Sequence, residues 1–372
     1  MKDHKHIKPH PRHEKDFTGG SALTRSCNYV GTTGESSLDK ELLALAEKIA
    51  PHDRECLLAE MMITAVRLSR GSATDGDIKM LNRALKEMSH ANEVFSGFRK
   101  ERKVAIFGSA RTKPTEPEYV TAVRFAKQMK EEGFMTITGA GPGIMAAGNE
   151  GAGREDSFGL NISLPFETSA NEFILNDEKL IDFNYFFTRK LSFVKEADAA
   201  VAFPGGVGTM DELFEALTLI QTGKATVYPI VLVDAKSGKY WKFWQQFMEE
   251  HLMRLNLISR TDFALFKVTD DVQVAVDEIL QFYKNFHSYR YVGDKLVLRI
   301  LNRLTETAVA ELNQEFKDII KDGEIVQCGA LEEEYLEEDL NDMPRLLLRH
   351  RRRDFGRLRM LIDAINVAET KK

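Results

Sequence analysis

Hydrophobic and polar residues change rhythm along the chain, and each rhythm predicts a different architecture. Residues 1–37 show no sustained period; they are polar, rich in Gly, Ser, Thr and His, and read as a flexible tail. Residues 38–100 carry apolar positions at helical spacing. Leu42, Leu45, Ala46 and Ile49 form one face, and Leu57, Leu58, Met61, Met62, Ala65 and Leu68 form another. Pro51 separates the two, and the stretch 71–77 (GSATDGD) breaks before a third helix.

From 101 to 288, short apolar runs alternate with amphipathic stretches. The runs at 103–110, 135–140, 158–164, 183–187, 199–206 and 228–234 read as strands. Helical patterns occupy 117–132, 142–153, 188–197, 209–223, 239–255 and 270–284. Repeated βα units of this length predict an α/β fold, a doubly wound, mostly parallel sheet with helices on both faces. Residues 289–372 read as a small α+β extension: strands at 295–301, 324–331 and 345–352, and helices at 304–321 and 355–368.

Composition changes this picture little. At 372 residues the chain can bury a full core and hold more than one domain. A formal net charge of −6 argues against a general nucleic-acid binder. No apolar run reaches the length of a membrane span. The N-terminus has charge but no apolar core, so no secretory signal is expected. The three cysteines are scattered and odd in number, form no metal or redox motif, and leave a reducing cytoplasm as the expected location. His4, His6, His10 and His13 lie in the tail without an acidic or cysteine partner at ligand spacing. An acidic run at 332–342 precedes a basic cluster of Arg349, Arg351, Arg352, Arg353, Arg357 and Arg359. That pair reads as a solvated face or subunit contact, or as an anionic effector site.

The turns of the central region carry the chemistry. In a parallel doubly wound sheet every strand-to-helix turn lies on one edge, where ligands bind. Gly108-Ser109-Ala110 ends the first strand and TGAGPGIM (138–145) the second. Thr188-Arg189-Lys190 follows the fourth, and PGGVGT (204–209) the fifth. Glycines at 205, 206 and 208 let the backbone approach a ligand, and the following helix offers unpaired N–H groups to an anion such as phosphate. The bland alternative is that the glycines only make tight turns. GAGPG lacks GxGxxG spacing and no acid ends the next strand, which argues against a dinucleotide site; no P-loop sequence is present.

Thr209 and Glu212 match a capping box, an N-cap threonine with glutamate three residues on. A carboxylate beside a bound phosphate is costly, so a functional Glu212 would face the neutral part of the ligand. Arg189 opens a helix, where a cation opposes the dipole by about 0.3–1 kcal/mol, a penalty that an anionic ligand or partner relieves.

PGGVGTMDE (204–212), TGAGPGIMAAGNEGA (138–152) and the arginine-lysine helix TRKLSFVKEADAAVAFPGG (188–206) together resemble the LOG-type phosphoribohydrolases over about 101–285. The resemblance implies a Rossmann-like domain that cleaves the N-glycosidic bond of a nucleoside 5′-monophosphate, AMP-like or a cytokinin nucleotide, to free base and ribose 5-phosphate. It implies Arg189 and Glu212 as the catalytic pair. It places Gly205, Gly206, Gly208 and Thr209 in the phosphate loop, and Gly139, Gly141, Gly143 and Met145 in the glycine-rich segment. Ser109 and Lys190 are added as ligand-binding candidates from the same edge. Ala140 departs from the glycine many members carry. Many members bear the label "lysine decarboxylase", which the sequence does not support, since no lysine sits in a convincing pyridoxal-phosphate context. The expected partner is a small-molecule nucleotide in a homodimer or higher homo-oligomer, with no nucleic acid, membrane, cofactor or metal. The alternative from another class is a non-catalytic nucleotide- or cofactor-binding sensor or carrier.

Overall fold

The computed structural model describes residues 31–51, 54–163, 170–334 and 338–371; the tail histidines lie outside them. The chain divides into two compact units, one ending at Ser89 and one running from His90. In the first, α1 (Ser36–Ile49) and α2 (Glu55–Arg70) pack together and are followed by the start of α3 (Asp75–Ser96). Ala46, Ala59 and Ile63 are buried there, whereas Leu45, Ile49, Leu57 and Met61 stay exposed.

The second unit holds a seven-stranded, all-parallel sheet in the order β4-β3-β2-β1-β5-β6-β7. Its strands are β1 (Arg102–Phe107), β2 (Phe134–Thr138), β3 (Ser157–Ile162), β4 (Leu180–Phe183), β5 (Ala199–Ala202), β6 (Ile230–Val233) and β7 (Phe266–Thr269). The connecting helices are α4 (Pro117–Glu131), α5 (Ile144–Ala152), α6 (Phe186–Glu196), α7 (Val207–Gln221), α8 (Tyr240–Phe247) and α9 (Val272–Phe282). Both faces of the sheet are covered, so its central strands are buried and mostly apolar, as in Val104–Ile106 of β1 and Ala199–Ala202 of β5. Val104 and Ile106 of β1 enter one core cluster, with Phe125 and Phe203. Ala105 enters another, with Phe158, Phe183 and Phe193. The strand order reverses between β1 and β5, the point at which such sheets open a ligand crevice.

A four-stranded antiparallel sheet, in the order β10-β11-β9-β8, completes this unit. It comprises β8 (Phe286–Val292), β9 (Lys295–Ile300), β10 (Val326–Cys328) and β11 (Arg345–Leu348), with helices α10 (Glu306–Glu315) and α11 (Phe355–Val367). One hydrophobic core runs through both sheets. Asn366 of α11 pins the junction: its Oδ1 accepts from Asn285 N and Phe286 N at 2.8 Å, and its Nδ2 donates to Phe282 O at 2.7 Å. Most of the basic cluster is committed locally. Arg349 pairs with Asp294 and Asp322, Arg357 with Asp318, and Arg359 with Glu278 and Asp363, while Arg351 and Arg352 donate to the carbonyls of Ile320 and Gly293.

One predicted element shifts. The aromatic run FNYFF, read as a strand at 183–187, is instead the end of β4 and the start of α6. The pairing with β3 falls on Leu180–Phe183, in register with Gly159–Ile162. β7 and β8 were not expected from the apolar pattern.

Candidate functional site

The loops after β1, β2 and β5 meet at Ser109. Its N–H donates to Pro204 O at 3.1 Å, and its carbonyl accepts from Ile144 N at 3.0 Å. Gly143 has φ +66°, and a Cβ there would stand 2.2 Å from Ser109 O. Only glycine meets both demands without strain. Gly205 is equally confined: a Cβ would lie 2.1 Å from Thr209 Oγ1 and 3.0 Å from Ser109 N. Around Gly206 and Gly208, by contrast, a Cβ would meet nothing within 4 Å. The loop is therefore tight on its inner side and open on its outer side.

Helix α7 starts at Val207 with Gly206 as N-cap and no side-chain cap. The first intrahelical bond, Met210 N to Gly206 O, is 3.2 Å. The N–H groups of Val207, Gly208 and Thr209 are left without intrahelical partners, a ready acceptor for an anion. The predicted capping box fails for this reason. Thr209 lies inside the first turn and Glu212 in the next, so Glu212 does not cap the helix.

What Glu212 does is pair with Arg189. Arg189 Nη2 donates to Glu212 Oε1 at 2.9 Å, and both side chains are nearly buried, 12% and 9% exposed. Arg189 sits within α6, with N-cap Tyr185 three residues before Thr188. It lies over the rings of Phe186 and Phe193, 5.6 and 5.7 Å from their centroids. Its Nε is buried with no hydrogen-bond partner. The same guanidinium approaches the β2 loop, since a Cβ on Gly139 would stand 3.8 Å from Nη2. Burial pushes the Glu212 carboxyl above the ordinary glutamate range, although Arg189 and Lys190 both pull it down. A carboxylate held half-way by a cation and a low-dielectric setting is a candidate acid or base.

The β2 loop is held from behind. Met145 fills the space over Gly139 and Gly141; a Cβ on either would come within 2.7 Å of its Sδ or Cε. Ala140 adopts φ 62° and is fully buried. This is a conformation that glycine takes at no steric cost, which accounts for glycine as the alternative residue there. Asn171 secures this turn: its N–H donates to Ala140 O at 2.8 Å, and its Nδ2 to Ala140 O at 2.9 Å and Gly141 O at 3.0 Å. Buried Asn149 accepts from Thr138 Oγ1 at 2.8 Å and from Asn171 Nδ2 at 3.0 Å. Tyr240 adds a further tie, donating to Gly205 O at 2.6 Å.

Ser109, Gly139, Gly141, Gly143, Met145, Arg189, Gly205, Thr209 and Glu212 are thus linked by contacts within this one cluster. Gly206 and Gly208 line its open side. Lys190 faces α7, 2.7 Å from Asp211 and 3.1 Å from Glu215. Sequence reasoning missed Asn149, Asn171 and Tyr240. Asn149 had a signal, a polar residue in the small apolar helix IMAAGNEGA. Asn171 and Tyr240 had none, because each acts through a contact with another loop.

Residues 142–279 match the family model described as possible lysine decarboxylase. Over 143 residues the chain is 30% identical to the pyrimidine/purine nucleotide 5′-monophosphate nucleosidase of Escherichia coli strain K12; the match spans 36% of this chain and 32% of that protein. Among solved structures, the molybdenum cofactor carrier protein of Chlamydomonas reinhardtii is 20% identical with a TM-score of 0.34, covering 49% of this chain and 99% of that one. The molybdenum cofactor binding protein of Rippkaea orientalis is 16% identical with a TM-score of 0.34, covering 48% and 94%. Among the described residues no helix is long and apolar enough to cross a membrane, and no cluster of three His, Cys, Asp or Glu is arranged to hold a metal ion.

Proposed function

We propose, from the premise that residues 142–279 belong to the LOG-type family described as possible lysine decarboxylase and that the chain is distantly homologous to a nucleotide nucleosidase, that it hydrolyses the N-glycosidic bond of a nucleoside 5′-monophosphate. The observation that carries this reading is the nearly buried Arg189–Glu212 pair at 2.9 Å, one turn inside a helix whose N-terminus is open to an anion. The 5′-phosphate would accept from the N–H groups at 206–209. Its binding energy would fix the ribose over the pair.

The C1′–N bond then breaks with its electron pair leaving on the base, giving an oxocarbenium-like ribosyl group, as in glycoside hydrolysis. Glu212, as carboxylate, accepts from a ribose hydroxyl or orients the attacking water, whose oxygen bonds to C1′. The proton that water releases passes to Glu212, and the departing base takes up a proton in turn, giving free base and ribose 5-phosphate. Arg189 holds the carboxylate in place and leans toward the β2 loop, where it can contact the substrate. Such acid–base help contributes roughly 10²–10⁴ in rate.

Incubation of the purified chain with AMP, GMP, CMP, UMP and isopentenyl-AMP, with chromatography for free base and ribose 5-phosphate, tests the reading. Base release supports it and names the preferred base. Nucleotide that binds and stays whole across the panel would replace it with a sensor or carrier.

A further inference from the structure

Helices α6 and α7 bring three carboxylates against two cations. Arg189 takes Glu212. The next residue, Lys190, reaches the acids on either side of Glu212: Asp211 at 2.7 Å and Glu215 at 3.1 Å. Its side chain is only 15% exposed, while Asp211 is 54% and Glu215 33% exposed. Lys190, Glu212 and Glu215 line one small cavity together with Phe193 and buried Tyr228. Arg189, Lys190, Asp211, Glu215 and Tyr228 are the titratable groups that α6, α7 and the approach to β6 bring near Glu212. The ammonium is thus engaged by two acids inside the α6–α7 seam.

We propose that Lys190 is a positioning residue that neutralises Asp211 and Glu215 and so keeps Glu212 ionised, and that it is not a ligand of the substrate phosphate. This rests on the reading of Glu212 as the reacting carboxylate. Without the lysine, Glu212 would share a partly desolvated seam with two unopposed like charges, and like charges disfavour ionisation. The acids also hold the lysine in place: burial works against its charge, but the hydrogen bonds to Asp211 and Glu215 raise its pKa above the ordinary lysine value.

The test is a ¹³C NMR titration of the Glu212 side-chain carboxyl, identified by its loss in Glu212→Gln. It is run in the full chain for wild type, Lys190→Met, Lys190→Arg and Lys190→Met/Glu215→Gln. The pH dependence of kcat/KM for AMP and the KM are measured alongside. The proposal predicts a midpoint raised by about one pH unit in Lys190→Met, with the acid limb of kcat/KM moving alike. It predicts little change in Lys190→Arg and partial return in the double variant. An unmoved Glu212 midpoint in Lys190→Met, with KM for AMP raised at least about tenfold at every pH, would overturn it and make Lys190 a phosphate ligand. If Lys190→Met fails to fold, the remaining variants decide. A midpoint that rises in Lys190→Arg as the charge is kept contradicts the proposal, and one that stays supports it. If wild type releases no base from any nucleotide, the proposed activity fails while the titration still judges the role of Lys190.

Discussion

Arg189 and Glu212 stand 2.9 Å apart across the seam between α6 and α7, yet the carboxyl is pushed above the ordinary glutamate range because burial outweighs the cation. The arginine is therefore the main counterweight to a burial that favours the neutral form of this carboxyl. Arg189→Met should raise the Glu212 pKa further. Because the mechanism needs the carboxylate, activity falls as pH drops through that pKa. The acid limb of kcat/KM should accordingly lie above the usual glutamate value in wild type and higher still in Arg189→Met. A pH–rate profile for both proteins checks this; coincident acid limbs would contradict it.

Gly205 is a steric requirement. An added methyl group would press on Thr209 and on the amide of Ser109. Gly205→Ala should cost about 1–3 kcal/mol, the usual range for overpacking, and raise the KM for nucleotide more than it lowers kcat. Gly208→Ala meets open space and should leave stability within about 1 kcal/mol, since Gly→Ala in a helix is neutral to favourable. Urea melts and steady-state kinetics of the two variants distinguish them.

Much of this was legible in the sequence, and the failures have physical causes. β1, β2, β3, β5 and β6 are apolar runs buried on both faces and ended by glycine, proline or polar residues, so periodicity finds them. β8, FHSYRYV, mixes aromatic and polar residues at the edge of the four-stranded sheet and offers no aliphatic run. β7, FKVT, is four residues at the sheet edge, with only Phe266 of its four residues buried. Aromatic residues at 183–187 suit strands, but pairing with β3 ends at Phe183 and the chain turns into α6. The glycine loops, Arg189 and Glu212 were legible as chemistry. That Glu212 pairs with Arg189 and does not cap α7 was not, because the helix begins two residues before Thr209. The commitment of Lys190 to two acids on a neighbouring helix is likewise a property of packing.

Ala140 holds a left-handed conformation in a fully buried turn, at a cost of about 1–2 kcal/mol relative to an ordinary backbone. Ala140→Gly relieves that strain but loosens the unfolded chain by about 0.4–1 kcal/mol. The net expectation is a stabilisation of up to about 1 kcal/mol with turnover retained. Thermal or urea unfolding measures it; a loss of more than 1 kcal/mol would show that the methyl contact with the Gly159 region matters more than the dihedral.

His350 is buried beside Tyr291, whose hydroxyl lies 2.7 Å from its Nδ1, and burial followed by the nearby Arg352 pushes its pKa down to about 4. The folded state therefore prefers the neutral ring, while the unfolded state takes up a proton near the ordinary value of 6.5. Between those pH values the unfolded chain binds more protons, so this contribution is complete above about 6.5 and is lost as pH falls toward 4. It amounts to up to about 3 kcal/mol. His350→Gln should flatten the stability-versus-pH curve in that window, read from urea midpoints at successive pH values. An unchanged slope would place the acid sensitivity elsewhere.

The central claim is that the Arg189–Glu212 pair beside the open α7 N-terminus is a nucleotide-cleaving site. The most direct test compares wild type with Glu212→Gln on the nucleotide that wild type prefers, measuring base release by chromatography and binding by calorimetry. The account predicts that Glu212→Gln binds the nucleotide with similar affinity and releases base roughly 10²–10⁴-fold more slowly. Release at the wild-type rate by Glu212→Gln would contradict it.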